Sequence, residues 1–245
     1  RIINLLRSQG FDGVFLDSCA DVDKPETAEY LDFLHAVNFD KDAPMRIICV
    51  ETAISPKLDA VVINDADGIA LMTEYLIRSG CRRFAHIAAP NQYFHANRRK
   101  GFLTALMLNG IPADQAVIAE GNFTCRSGYN AMVEILDSGK TVDAVVCGND
   151  QMAIGALYCL KERGIRVPED IAVAGFNDNV PASLVTPSLT TMRVPKAEMG
   201  SCAFDLFQRR NGGDQSARIQ IQLGSELIVR QSTDANVQTA WELDW

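Results

Sequence analysis

The chain has 245 residues and a formal net charge of −8, from 23 lysine and arginine residues against 31 aspartate and glutamate residues. Apolar residues make up 47% and charged residues 22%, values typical of a globular protein, which argue against a disordered, collagenous or coiled-coil chain. The acidic balance also argues against a nucleic-acid-binding module, because such a surface needs a basic stripe to neutralise phosphates. No apolar run approaches the roughly 18 residues that a membrane helix needs.

Short β-branched runs alternate with amphipathic stretches along most of the chain. Most of these runs are continuous apolar segments, as expected for strands that are buried on both faces of a parallel sheet. The predicted strands, in chain order, are residues 14–16, 47–50, 61–63, 84–88, 117–119, 144–147 and 171–174.

Apolar residues with helical spacing lie between these strands. The stripes are Ile69, Met72, Leu76 and Ile77; Phe102, Leu103, Leu106 and Met107; Tyr129, Met132, Val133 and Leu136; and Ala153, Ala156, Leu157 and Leu160. A fifth helix is predicted from Pro195, a favoured first-turn residue, to Gly212 and Gly213. Strand–helix repetition of this kind predicts an α/β fold with right-handed crossovers.

The two ends of the chain depart from this pattern. The chain opens without an initiator Met or a helix-capping signal, so we expect a fragment of a longer protein. Near the other end, Ile219, Ile221 and Leu223 alternate with glutamines, which is the period of a half-exposed strand, and residues 226–230 predict another strand. The polar tail 233–245 has no period and is interpreted as a C-terminal extension.

The cysteine pattern is typical of a reduced protein. The seven cysteines are odd in number, widely scattered and without a C-x-x-C pair. Several lie inside apolar runs, where a thiol behaves as a small hydrophobe. We therefore expect a cytoplasmic location.

Candidate ligand-binding residues follow the predicted strands. Ligands of open α/β sheets bind at the carboxyl ends of the strands. The candidates at these positions are Asp17, Glu51, Arg98, Phe123, Asn149 and Asn177. Their carboxylates, amides and guanidinium suit hydrogen bonding to a polyhydroxylated or amide-rich ligand, and Phe123 suits stacking on an apolar ring face.

Each candidate also has a structural interpretation. The potential helix caps are Asp65, Asn149 and Asp150. Asp17 could shape a turn, Arg98 could be a surface residue, and Phe123 could belong to the core. The coincidence of all six candidates at strand ends favours the ligand site.

Enzyme and metal signatures are missing from the sequence. There is no G-x-G-x-x-G after a strand, no G-x-x-x-x-G-K-[ST] and no G-x-S-x-G. We therefore predict no catalytic residues, no cofactor and no enzymatic activity. The histidines His35, His86 and His95 are too scattered for a metal site; His86 is predicted to be a core residue, and His95, one turn before Arg98, is a weaker ligand-binding candidate.

Long motifs resemble one family of regulators. The segment GNDQMAIGALYCLKERGIRVPEDIAVAGFND at 148–178 resembles the signature region of the lactose/galactose repressor (LacI/GalR) family. The segments PSLTTMRVPKAEMG at 187–200 and LIVRQST at 227–233 continue the resemblance in order, and RRKGF at 98–102 is similar to the family's R-x-x-G-[FYW] segment. The likeness covers residues 1–233.

The resemblance implies two Rossmann-like lobes with parallel sheets, as in periplasmic binding proteins of type I, joined by three crossovers. Motif alignment places an incomplete N-terminal lobe at 1–63, completed by 194–213. The C-terminal lobe is expected at 64–193, completed by 214–232. The family's first two strands and its N-terminal helix-turn-helix have no counterpart in this chain.

The resemblance also implies the effector-binding domain of a transcriptional regulator. A small polar ligand, such as a sugar or a nucleoside, would bind in the cleft between the lobes and control DNA binding by an upstream helix-turn-helix allosterically. The implied contacts are the same six strand-end residues, with Ser18 and Val194 as weaker candidates. Family members often have Asp where this chain has Asn177. A homodimer is implied, with Ile154 and Leu184 at its interface.

Two other functions stay open at this point. The first is a periplasmic sugar-binding protein of a transporter, which has the same fold; the cysteines and the motifs at 167–171 and 175–178 argue against it. The second is an α/β enzyme, for which the sequence offers no nucleophile–base pair. None of the three interpretations involves a membrane.

Overall fold

The computed structural model describes residues 2–17, 24–89 and 93–238. The strands are β1 (Gly13–Leu16), β2 (Arg46–Glu51), β3 (Asp59–Ile63), β4 (Phe84–Ala88), β5 (Val117–Glu120), β6 (Ala144–Cys147), β7 (Ala172–Asn177), β8 (Thr190–Arg193), β9 (Gln220–Leu223) and β10 (Glu226–Ile228). The helices are α1 (Ile2–Ser8), α2 (Pro25–Asn38), α3 (Asp65–Arg78), α4 (Tyr93–Leu108), α5 (Cys125–Asp137), α6 (Asp150–Glu162), α7 (Pro181–Leu184) and α8 (Lys196–Asn211).

The chain divides into two compact units. Unit 1 comprises Arg1–Asn64 and Pro195–Leu223, and unit 2 comprises Asp65–Val194 and Gly224–Trp245. Within the described ranges, no helix combines the length and the apolar character needed to cross a membrane.

Unit 1 contains a four-stranded parallel sheet in the order β1-β2-β3-β9. The residues of β3 are all buried, and three of the six residues of β2 are buried. The helices α2 and α8 pack against β2, and α8 also packs against β3. A strand covered in this way needs apolar side chains pointing to both faces, which explains the continuous apolar runs of β2 and β3.

Unit 2 contains a six-stranded sheet in the order β10-β8-β7-β6-β4-β5. Its pairs are parallel except for β10, which runs antiparallel to β8 at one edge. Every residue of β4 and β6 is buried. A largely parallel sheet places the carboxyl ends of its strands along one edge, where the candidate residues of this unit were expected.

The predicted α/β class is confirmed. Each of the seven predicted strands is present, with bounds within three residues of the prediction. The fifth predicted helix corresponds to α8, and the alternating segment near residue 220 forms β9.

The third crossover differs from the sequence prediction. The prediction assigned residues 214–232 to the C-terminal lobe, with a crossover near Gly213. In the structure the chain remains in unit 1 as far as Leu223, because β9 pairs with β3 and extends that sheet in parallel. At the predicted extension 233–245, the amides of Thr233 and Asp234 bind the Arg230 carbonyl within unit 2, and residues 239–245 lie outside the described residues.

His86 is a core residue, as the sequence predicted. It lies in β4 with 1% of its surface exposed, and its Nδ1 lies 2.7 Å from the carbonyl oxygen of Val146. Its ring stacks on Phe102 with the centroids 4.9 Å apart. Burial lowers the pKa of His86 to about 4, so the ring is neutral in the folded protein near pH 7.

This burial predicts a pH dependence of stability. A histidine whose folded pKa lies below its unfolded value takes up its proton on unfolding, so stability is lost as the pH falls. Between pH 6.5 and pH 4, we expect His86 to reduce the free energy of unfolding by about 3 kcal/mol. Urea unfolding of the wild type and of His86→Phe at several pH values measures the effect. If the free energies of unfolding of the two proteins changed equally with pH, the prediction would be contradicted.

Candidate functional site

The carboxyl ends of the unit 2 strands carry most of the predicted site residues. Asn177 is the last residue of β7, and Asn149 follows β6 after one glycine. Arg98 lies in α4, the helix that follows β4, and Val194 follows β8. The parallel order of β4, β6, β7 and β8 brings these chain segments to the same edge of the sheet.

Arg98 is buried and bound on several sides. Its Nε and Nη2 both lie 2.8 Å from Oδ1 of Asp65, at the start of α3. Its Nη1 donates to the carbonyl oxygen of Gly148 at 2.6 Å, and its guanidinium carbon lies 4.0 Å from the ring centroid of Phe176. Arg98 therefore joins α4, α3 and the ends of β6 and β7, and it is not the surface residue that the structural interpretation allowed.

The ion pair is almost completely removed from water. The side chains of Arg98 and Asp65 are 5% and 6% exposed. Burial raises the pKa of Asp65 above its ordinary value, while the Arg98 charge and hydrogen bond act in the opposite direction. Removing one partner of such a pair leaves an uncompensated buried charge, which typically costs about 3–5 kcal/mol.

The close approach of two helices explains why the motif that begins at Arg98 has a glycine at position 101. A Cβ atom at Gly101 would lie 2.2 Å from the carbonyl oxygen of Ala66, the residue that follows Asp65. Such a distance is far inside van der Waals contact, so only glycine lets α4 approach α3 this closely. The same close approach brings Arg98 to Asp65.

Asn149 performs the capping role that the sequence left open. Its Oδ1 accepts a hydrogen bond of 2.9 Å from the Met152 amide, which caps α6. Its Nδ2 donates to the carbonyl oxygen of Phe123 at 3.1 Å. Asn149 therefore fixes the Phe123 segment beside the start of α6. The half-buried Phe123 packs against the core of unit 2.

Asn177 carries an unsatisfied acceptor. Its Oδ1 is buried and has no hydrogen-bond partner among the described residues. The next residue, Asp178, accepts hydrogen bonds from Arg193 at 2.6 Å and Arg230 at 2.8 Å. Burial acts to raise the pKa of Asp178, but these arginine hydrogen bonds outweigh burial and hold the pKa below its ordinary value.

Backbone strain coincides with the predicted site. Across the described residues, the non-glycine residues with positive φ are Glu51 (62°), Phe123 (71°), Asn177 (109°) and Asp178 (49°). Three of these four are candidate ligand-binding residues. Such conformations cost free energy and are concentrated at functional sites, where the surrounding structure maintains them.

The two candidates of unit 1 lie at the ends of neighbouring strands. Asp17 follows β1 and is exposed, and Glu51 is the last residue of β2 and is half-buried. The two strands pair in parallel, with Leu16 opposite Cys49. These candidates therefore share the carboxyl edge of the unit 1 sheet.

The weaker candidates are distributed differently. Val194 is buried, with 4% of its surface exposed. Ser18 lies outside the described residues, and so does the side chain of His95, whose backbone belongs to α4. Of the two predicted interface residues, Ile154 packs partly buried against the unit 2 core, whereas Leu184 is 50% exposed.

Sequence reasoning missed the groups that hold Arg98. Asp65 was considered only as a helix cap, and Phe176 and the Gly148 carbonyl were not considered. A carboxylate that directly precedes an apolar helical stripe was the available signal for Asp65, but it did not identify the arginine partner. The part of the chain that the structure describes contains no group of three or more potential metal ligands among His, Cys, Asp and Glu.

The glycine contact gives a direct test of how Arg98 is positioned. We expect Gly101→Ala to reduce the free energy of unfolding by about 1–3 kcal/mol, because the new Cβ meets backbone that cannot move freely. The matched control is Gly200→Ala in α8, where a new Cβ would meet no atom within 4 Å beyond the neighbouring backbone of its own helix, so a gain of up to about 1 kcal/mol is expected. Urea unfolding measures both variants; a Gly101→Ala protein as stable as the wild type would disprove the close contact.

Comparison with known proteins identifies the family. The family described as "Periplasmic binding protein-like domain" matches residues 73–233. The HTH-type transcriptional repressor PurR of Escherichia coli O1:K1 / APEC is 31% identical over 231 residues. This alignment covers 94% of the chain and 65% of PurR, so the chain spans slightly less than two thirds of that relative.

Solved structures of regulators share the fold. The transcriptional regulator CelR, solved as a complex with cellobiose, has a TM-score of 0.82 and 31% identity, and the match covers 94% of this chain and 68% of CelR. A LacI family transcriptional regulator from Enterococcus faecium with bound ribose has a TM-score of 0.79 and 26% identity, with 94% and 82% covered. These relatives are transcriptional regulators. The chain belongs to the periplasmic binding protein-like family and, within it, to the effector-binding domains of the LacI/GalR regulators.

Proposed function

We propose that the chain senses a small polar ligand, such as a sugar or a nucleoside, and controls DNA binding by a helix-turn-helix of the same protein. The proposed ligand site lies at the carboxyl ends of the unit 2 strands and includes Arg98, Phe123, Asn149 and Asn177. Asp17 and Glu51, at the carboxyl ends of the unit 1 strands, are also proposed ligand contacts. The relatives described above are regulators, two of them solved with a bound sugar.

The unsatisfied Oδ1 of Asn177 is the observation that carries the proposal. A buried carbonyl oxygen without a hydrogen bond is unfavourable, and a ligand hydroxyl or amide would supply the missing donor. The oxygen belongs to a residue in a strained conformation at a strand end, which is where ligands of such sheets bind. Asn177 follows Phe176, on whose ring Arg98 lies, so the acceptor and the guanidinium belong to the same part of unit 2.

Asn177 also bears on which ligand is recognised. An ionised aspartate at this position would only accept hydrogen bonds with its two oxygens. An asparagine accepts with Oδ1 and donates with Nδ2, so it pairs with a ligand that offers both a donor and an acceptor. A sugar hydroxyl or a nucleobase edge satisfies this requirement.

Regulation requires two states with different affinities for the ligand. A ligand shifts the equilibrium between the states only by the difference in its binding free energy for each. In a dimer, we propose that this shift changes the spacing of two DNA-binding heads, which must match half-sites about one helical turn apart. The operator contacts would belong to the helix-turn-helix and not to this acidic chain.

Thermal unfolding with a panel of sugars and nucleosides tests ligand sensing. A true effector at a hundred times its Kd should add about 2.7 kcal/mol to the free energy of unfolding. Asn177→Ala should abolish this shift, whereas Asn130→Ala, at an exposed position of α5, should retain it. Arg98→Ala is less informative, because loss of the buried ion pair alone destabilises the protein. No shift with any compound, or an equal shift in Asn177→Ala, would contradict the proposed site.

We propose a homodimer that uses α6 and α7 of unit 2. Exposed apolar side chains on and beside these helices support it: Tyr158 is 58% exposed, and Val180 and Leu184 are each 50% exposed. The helices pack against each other, so the three residues belong to neighbouring elements. Ile154 of α6 is partly exposed and is the second predicted interface residue.

Leu184→Asp tests this interface. A charge placed in an apolar interface should weaken association by roughly tenfold or more, measured by sedimentation equilibrium. Leu108→Asp is the matched control, since Leu108 is 72% exposed at the end of α4 and is not part of the proposed interface. Equal association of the two variants would place the interface elsewhere.

We also infer a cytoplasmic location and no catalytic activity. The six cysteines within the described residues are free thiols, as expected in a reducing compartment. The alternative of a transporter's sugar-binding protein is less well supported, because the relatives described above are transcriptional regulators.

A further inference from the structure

Unit 1 contains a charged cavity at the edge of its sheet opposite to Asp17 and Glu51. The cavity has a volume of about 700 Å³. Its walls are the end of α2 with the loop that follows it, the starts of β2 and β3, and the loop between α8 and β9. Because all four strands are parallel, their amino ends lie at this edge and the candidate effector residues lie at the other.

One wall of the cavity is held by a bidentate ion pair. Arg210 donates from Nε and Nη2 to the two carboxylate oxygens of Asp59, at 2.6 and 2.7 Å. Its Nη1 and Nη2 also donate to the carbonyl oxygens of Asp214, Ser216 and Ala217. The Arg210 side chain is 11% exposed. The loop after α8 is therefore fixed in place without a ligand.

The cavity carries uncompensated positive charge. Its carboxylates are all paired with arginines: Asp40 with Arg7, Asp59 with Arg210, and Asp214 with Arg209 and Arg210. Four further cations line it without a carboxylate within 4 Å, counted over the described residues. These cations are Lys41, Arg46, Lys57 and Arg218.

Two of these cations already donate hydrogen bonds to other groups of the protein. Arg218 donates from Nε to the carbonyl oxygen of Leu58 and from Nη2 to Gln220, both at 2.6 Å, so its position is fixed. Arg46 donates from Nη1 to Asn38 at a long 3.4 Å, and its buried Nε has no hydrogen-bond partner among the described residues. A buried guanidinium nitrogen without an acceptor is costly, and the guanidinium group to which it belongs lines the cavity.

A second cavity provides the contrast within the same chain. It has a volume of about 490 Å³, lies at the amino ends of the unit 2 strands, and is lined by Arg82, Arg83 and Lys140. Asp143 accepts hydrogen bonds from the backbone amides of both arginines and forms an ion pair with the Arg83 side chain. The side chains of Arg82 and Lys140 have no carboxylate within 4 Å among the described residues, so the second cavity has two unpaired cations. The unit 1 cavity has four, which makes it the more positive of the two.

We propose that the unit 1 cavity binds a small molecule that carries phosphate groups, at a site separate from the effector site. Guanidinium groups match phosphate oxygens in charge and geometry, and lysines add point charges at the rim. Local cations also concentrate anions that a chain of net charge −8 would otherwise repel. The volume accommodates a metabolite-sized molecule and is larger than a single phosphate ion requires.

Isothermal titration with pyrophosphate and with inorganic phosphate tests the proposal, at an ionic strength held constant with sodium chloride. We expect saturable binding of pyrophosphate, tighter than that of phosphate. Lys57→Gln should weaken it by roughly tenfold, since one charge-assisted hydrogen bond is lost. Arg218→Gln should abolish it; because Arg218 also binds the Leu58 carbonyl, circular dichroism checks that this variant is folded. Lys140→Gln, the matched control in the second cavity, should bind as the wild type does.

Four results would overturn the proposal. One is the absence of saturable pyrophosphate binding. The second is an equal effect of Lys140→Gln and Lys57→Gln, which would indicate nonspecific attraction. The third is loss of pyrophosphate binding in Asn177→Ala, which would assign the anion to the effector site. The fourth is duplex DNA binding that depends on Lys57 without any binding of pyrophosphate, which would make the cavity a nucleic-acid contact.

Discussion

The buried ion pair between Arg98 and Asp65 is the interaction on which the site in unit 2 depends. An arginine and an aspartate removed from water are tolerated only when they are paired and their remaining groups are hydrogen-bonded. Here the Gly148 carbonyl and the Phe176 ring complete the environment of the guanidinium. One side chain therefore connects two helices with the ends of two neighbouring strands.

This connection explains how strained residues persist at the strand ends. Phe123 and Asn177 occupy positive φ values that a non-glycine residue adopts only when its surroundings enforce them. Asn149 ties the Phe123 segment to the start of α6, and the Arg98 contacts hold Phe176, the neighbour of Asn177. A site fixed before the ligand arrives loses less conformational entropy on binding, which favours affinity and specificity.

The two sheet edges of unit 1 differ in chemical character. The carboxyl edge carries the acidic candidates Asp17 and Glu51, whereas the amino edge carries a cavity with unpaired cations. Acidic side chains suit the hydroxyl groups of a neutral ligand, and cations suit an anion. The two proposed kinds of recognition therefore lie at opposite ends of the unit 1 strands.

Much of the fold could be predicted from the sequence because the strands are buried on both faces. The continuous apolar runs of β4 and β6 are typical of buried strands. The alternating run near residue 220 also predicts a strand. Its pairing could not be predicted, because whether β9 joins β3 or the other sheet depends on contacts between residues about 160 positions apart, such as Ile219 with Asp59.

The candidate site was predictable in position but not in detail. The rule that ligands bind at strand ends selected Arg98, Asn149 and Asn177, yet it gave no information about their partners. Asp65 lies 33 residues from Arg98 and Gly148 lies 50 residues away, so only the folded chain brings them together. The sequence allowed Asn149 to be a helix cap or a ligand contact and could not distinguish between these two roles.

A double-mutant cycle on the ion pair tests the account most directly. The free energies of unfolding of the wild type, Asp65→Asn, Arg98→Met and the double variant would be measured by urea denaturation. The account predicts that each single change costs about 3–5 kcal/mol and that the double change costs at least about 2 kcal/mol less than their sum. Additive effects within about 0.5 kcal/mol would show that the two residues do not depend on each other and would contradict the account.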